Sequence, residues 1–302
     1  MDALTLSRIQ FASTVLRCFT LAGALAITVP GCLAIPVSSR SKPVRDLAPT
    51  SVFAERIQHI HGVAADGFGN VYVSSSAHQG SVVRINASGE QAPVATGLGR
   101  VAGLARDDLG SLFVAMTWGK GGIYRIGSEG RRALVVKGIG YPAETAVDDR
   151  GRVYIAESLS RGRLLRYADE ELLTWAGPLH LPKGVAVDVE SSVYVCESAS
   201  GRILRYHSDG ARHVLVPSGI LTQPGGITYT PQYRGLFVTE DRARGRLSFV
   251  SVDGPIVTLL YDLRYPKGLA LDGQGDLYIA EQGRKRLLRI QAEDLSAALN
   301  RS

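Results

Sequence analysis

Cysteine is scarce: Cys18, Cys32 and Cys196 are the only three in 302 residues, too few for a disulfide scaffold. Apolar runs long enough to cross a bilayer are lacking too, since the stretch from Phe19 to Val29 is about eleven residues and a span needs about twenty. Of the six histidines, His59 and His61 form a His-x-His pair and His78 and His180 fall on nearby loops. His207 and His213 fall toward the other end of the strands, so no three imidazoles share equivalent positions and a zinc site is not supported. Glycines around Lys120 are not followed by a helix, which excludes a phosphate loop. A formal charge of +6 is modest, and nothing in the body of the chain has the spacing of an amphipathic helix.

What is present is a repeat. Pro182-Lys183-Gly184-Val185-Ala186-Val187-Asp188 is followed by Val193 to Ser198, then Gly201 to Tyr206, then Asp209-Gly210, and this phrase recurs six times between His61 and Ile290. The opening glycine, or its substitute, falls at Gly62, Gly103, Glu144, Gly184, Gly226 and Gly268, a period of 40 to 42 residues. Each unit reads as four short strands, a to d, separated by Gly, Asp and Ser turns, which predicts an all-β chain with one propeller blade per unit. The sixth unit lacks strand d, and Ser51 to Gly62 aligns with the strand d and loop of the others. A six-bladed β-propeller over residues 49–292, closed by an N-terminal strand, is therefore expected, with a polar C-terminal tail over 293–302.

These repeats resemble NHL repeats, and the body of the chain is similar to the six-bladed propellers of NHL proteins and the gluconolactonase-like family. The resemblance implies the fold. It leaves activity open, because such propellers serve as binding proteins, lactonases and lyases.

Arg8 and Arg17 precede the apolar stretch, and Val29-Pro30-Gly31-Cys32 follows it, so residues 1–32 read as an export signal with a lipobox-like end. Cleavage before Cys32 would leave a bacterial lipoprotein of the cell envelope or periplasm; cleavage after Ala34 would leave a soluble secreted protein. Residues 33–48, rich in Pro and Ser, have the composition of a tether. Cys196 has Ser74, Ala115, Ala156, Thr239 and Ala280 as its equivalents, so it reads as a small packed residue and not a nucleophile.

Comparing units separates scaffold from site. Strand b ends in Glu157, Glu197, Glu240 and Glu281 where strand c begins with Arg163, Arg202, Arg246 and Arg286; units one and two lack both partners. Loss as a pair predicts cross-strand ion pairs, each worth about 0.2–1 kcal/mol if exposed, although four acids in a ring would also suit a metal. Asp66, Asp107, Asp148, Asp188 and Asp272 end strand a and read as turn caps.

Sorting loops by face gathers Arg100, Lys120, Lys137, Arg161, Arg242, Arg244, Arg264, Arg284 and Lys285 at one end of the disc and mostly aspartates at the other. Residues just before the strand-a glycine, His61, Ala102, Ala143, Lys183, Gly225 and Lys267, are expected at the mouth of the central channel. The gluconolactonase resemblance implies acidic and amide metal ligands on these segments, and two lysines do not support that set or its calcium. Glu144 is a candidate acid–base group together with His61, and Trp118 a candidate stacking platform. The reading favoured is a tethered binding or scaffold module whose face holds an acidic small molecule, glycan or protein through His61, Lys183, Lys267 and Trp118. The alternative is a hydrolase or lyase acting in the channel. Export argues against nucleic acid as a partner.

Overall fold

The computed structural model describes residues 50–77, 79–117 and 119–301. The expected signal (1–32) with Cys32, the expected tether (33–48), His78 and Trp118 lie outside the described residues. The repeats form six four-stranded antiparallel sheets, five of them built from consecutive strands. In the sixth, Ser51–Ala54 pairs antiparallel with Arg286–Ile290 and supplies the missing outer strand, with Ser51 opposite Arg289 and Val52 opposite Leu288. The inner strands are Ile60–Ala65, Val101–Arg106, Pro142–Val147, Pro182–Val187, Pro224–Thr230 and Pro266–Leu271. Each touches the inner strands of both neighbouring blades, blade six against blade one included, so the ring is closed.

Both faces of each sheet are covered because the core sits between blades. Alternation along strand b sends Val193 and Val195 toward blade three and Tyr194 and Cys196 toward blade five. At the seam, Ala54 and Ile57 pack with Val71 and Val73 of blade one and Tyr278 and Leu287 of blade six. Closure by the N-terminal strand thus buries apolar side chains as every other interface does.

One irregularity repeats in every blade. The pairing of strand a with strand b slips after the first residue, so that Lys183 and Gly184 together oppose Cys196, and the same slip recurs in the other five. A bulge of this kind bends the strand and re-aims the side chain on it. It also explains why the residue opposite must be small. In blade one Ser74 occupies that position, accepting from the Gly62 amide at 2.8 Å and donating to the Ala102 carbonyl. In blade five Thr239 accepts from Gly226 at 3.0 Å and donates to Lys267 at 2.7 Å. Cys196 is fully buried at the same place, and burial pushes its thiol well above the ordinary range. Cys196→Ser is therefore expected to keep the melting temperature within a few degrees of the parent, its hydroxyl taking the bonds that Ser74 takes, and native Cys196 is expected to resist thiol reagents. A destabilisation above about 2 kcal/mol would contradict this equivalence.

The polar tail is a helix. Ala292–Leu299 buries Leu295 and Ala298 against the cluster of blades five and six, and the Ala292 amide donates to Asp276 at 2.8 Å. Leu295 and Leu299 are four apart, and Glu293 and Asp294 stand in the first turn, where the helix dipole favours acids. That signal is short, and the acids around Leu295 masked it.

Candidate binding site at the mouth of the channel

In every blade the residue after strand b donates its amide to the loop that joins strand d of the preceding unit to strand a: Ser76 to His59, Thr117 to Arg100, Ser158 to Tyr141, Ser198 to Leu181, Asp241 to Gln223 and Gln282 to Tyr265. The d–a and b–c loops thus form one face, here the mouth face. In blades three to six the strand-b glutamates hold this face from within. Glu157, Glu197, Glu240 and Glu281 are buried and accept the backbone amides of Gly140, His180, Thr222 and Arg264, at 2.8, 2.8, 3.0 and 2.7 Å. Each also takes the Nε of its arginine, Arg163, Arg202, Arg246 or Arg286, at 2.6 to 2.8 Å. The pairing expected from sequence is present, but the carboxylates are interior and their oxygens are consumed, so they are not a ring of metal ligands. Arg163 beside Glu157, assisted by the Gly140 amide and opposed by burial, holds that carboxyl below its ordinary range.

The opposite face carries the strand-a aspartates. Asp66, Asp148, Asp188 and Asp272 accept amides of their own turns, and the hydroxyls of Tyr72, Tyr154, Tyr194 and Tyr278 reach the same carboxylates. Arg152, Arg205 and Arg289 pair with Asp148, Asp188 and Asp276. Its acids are largely turn caps and ion-pair partners.

On the axis, the bulges turn the predicted residues into one cavity of about 120 Å³, lined by His61, Ala102, Tyr141, Ala143, Glu144, Ser158, Lys183, Gly225, Gly226, Asp241 and Lys267. Lys183 and Lys267 lie on the same face and on the same carboxylate. Lys183 Nζ is 2.9 Å from Asp241 Oδ2, and Lys267 Nζ is 2.8 Å from both Asp241 oxygens. Burial alone would raise the Asp241 carboxyl, but the two ammonium groups outweigh it and hold it below its usual value. Asp241 reaches inward over Gly225, where a β-carbon would stand 3.0 Å from its own. Glu144 reaches over Gly103 in the opposite half of the ring and places Oε1 3.4 Å from His61 Nδ1. It also borders a second cavity of about 210 Å³ that continues down the channel between the inner strands. Glu144 stands at the junction of the two.

Asp241 is the residue that sequence comparison missed. Its equivalents are Ser76, Thr117, Ser158, Ser198 and Gln282, so blade five alone carries a charge there, and aligning the residue after strand b would have exposed it. With it, two ammonium groups meet two carboxylates and the mouth is charge-balanced when His61 is neutral. The donor set does not fit a divalent cation: both Asp241 oxygens are held by lysines, and among the described residues no three His, Cys, Asp or Glu side chains come together.

No known family profile and no curated protein matches the sequence. Among solved structures, a protein of unknown function from Bacteroides thetaiotaomicron superposes with a TM-score of 0.69 at 16% identity, over 80% of this chain and 75% of its own. A gluconolactonase from Xanthomonas campestris gives 0.67 at 18% identity, over 80% and 88%. Virginiamycin B lyase from Staphylococcus aureus gives 0.60 at 16%, over 82% and 85%. At these identities the likeness is one of architecture: this chain is a six-bladed β-propeller that shares its fold with gluconolactonase-like proteins.

Proposed function

We propose that the chain is an exported binding module, tethered to the bacterial envelope through lipid on Cys32, whose mouth face holds an acidic partner. One observation carries the reading. Arg56, Arg100, Lys120, Lys137, Arg161, Arg242, Arg244, Arg264 and Lys285 lie on the d–a and b–c loops or at their edges, and among the described residues none has a carboxylate within ion-pair distance, whereas Arg284 has Asp262 and Glu281. Glu55 is the one carboxylate of those loops without a cation among the described residues. The positive character therefore lies in the rim, around a balanced centre, and the exposed rings of Tyr141 and Tyr265 sit within it. Arginine and tyrosine side by side, presented on loops fixed by buried glutamates, are what a protein-binding surface uses. Strand Ser51–Ala54 runs from the face of the a–b and c–d turns toward the mouth face, so Ser51 stands at the end away from the mouth.

Poly-glutamate is a suitable probe. Arg242→Glu/Arg264→Glu/Lys285→Glu is expected to weaken its binding at least about tenfold, and added salt to weaken the parent's binding steeply. Binding that ignores both changes would overturn the proposal. Hydrolysis or elimination on a small substrate is a second reading, favoured by the 3.4 Å approach of His61 and Glu144. Turnover in a panel of lactones and esters that is lost in Glu144→Gln would support it.

A further inference from the structure

The balanced mouth is more specific than the rim. Its charges are separated across the ring: Lys183, Asp241 and Lys267 belong to blades four, five and six, while His61 and Glu144 come from blades one and three. Each ammonium has three N–H donors, and Lys183 directs one at Asp241, leaving others for the cavity that it lines. On the other side stands the Glu144 carboxylate, which lines the cavity. His61 Nδ1 is buried and makes no hydrogen bond, and the nearest Glu144 oxygen, at 3.4 Å, is beyond good hydrogen-bonding distance. That gap has no room for a ligand atom, so Glu144 is the acceptor that a donor in the cavity would meet.

From this geometry we infer that the mouth is a receptor site for a small free amino acid. The ligand's carboxylate takes the free donors of Lys183 and Lys267, and its ammonium donates to Glu144. A cavity of about 120 Å³ with ammonium groups on one side and Glu144 on the other suits a small zwitterion. Overall neutrality selects a zwitterion over a simple anion, because an anion would leave Glu144 unmatched. The site is separate from the rim that binds an acidic partner, and either assignment can fail alone.

Calorimetric titration of the full chain with glycine, L-alanine and β-alanine, beside acetate and methylammonium, tests it. At least one amino acid is expected to bind saturably and at least about tenfold more tightly than acetate or methylammonium. Glu144→Gln and Lys183→Met are each expected to weaken it about tenfold or more, with unchanged melting curves, and the rim triple variant to leave it unaltered. Should Lys183→Met fail to fold, Lys183→Gln serves in its place. Acetate binding as tightly as every amino acid, or no saturable binding by any of the three, would overturn the inference.

Discussion

Glu240→Ala is expected to cost the propeller about 3 kcal/mol and to lower its melting temperature by roughly 6–12 °C. Glu240 is fully buried; its Oε1 accepts the Thr222 amide at 3.0 Å and a bond from Arg246, whose Nε meets Oε2 at 2.8 Å. Removing the carboxylate orphans a backbone donor, which costs about 1–3 kcal/mol, and strands a guanidinium. Because Arg246 is 30% exposed it recovers part of its hydration, so the loss stays below that of a sealed ion pair. Glu157→Ala is expected to cost less, since Arg163 is 45% exposed. Calorimetry on the two variants checks both the size and the order. A Glu240→Ala protein within about 0.5 kcal/mol of the parent would mean that the buried glutamates do not hold the d–a loops.

Gly184→Ala is expected to cost about 3 kcal/mol or more, and much of the protein is expected to be lost to aggregation. A β-carbon there would lie 2.1 Å from the Gly225 carbonyl oxygen and 2.8 Å from Ile227 Cγ2. Overpacking a core usually costs about 1–3 kcal/mol because side chains can shift. Here the obstacle is the backbone of the next inner strand, which is itself pinned by blade six. Gly67→Ala, in an exposed turn where a β-carbon meets nothing within 4 Å, is the matched control and is expected to change stability by less than about 0.5 kcal/mol. Equal thermal stability of the two variants would show that inner-strand glycines are not required by close approach.

The strand-a glycines and the alternating strands made the ring legible because they recur from unit to unit, and the one unit without its strand d pointed to the closing strand. Joint loss of glutamate and arginine in two units revealed the ion pairs. Their burial was not legible: it depends on the Gly140, His180, Thr222 and Arg264 amides, which come from the preceding loop and leave no side-chain signature. The bulge opposite Cys196 was visible only as a preference for small residues. His61, Glu144, Lys183 and Lys267 were placed at the mouth by their position beside the glycine, and the structure brings all four to one cavity. Asp241 escaped because it lies outside strand a, while the mouth is built jointly by strand a and the residue after strand b.

Amide chemical-shift mapping of the full chain with poly-glutamate addresses most directly whether the mouth face is the binding face. The shifts are expected in the d–a and b–c loops, strongest around Arg242, Arg264 and Lys285, with the a–b and c–d turns unchanged. Shifts concentrated in those turns, around Asp107, Asp148 and Asp188, or none at saturation, would contradict the account.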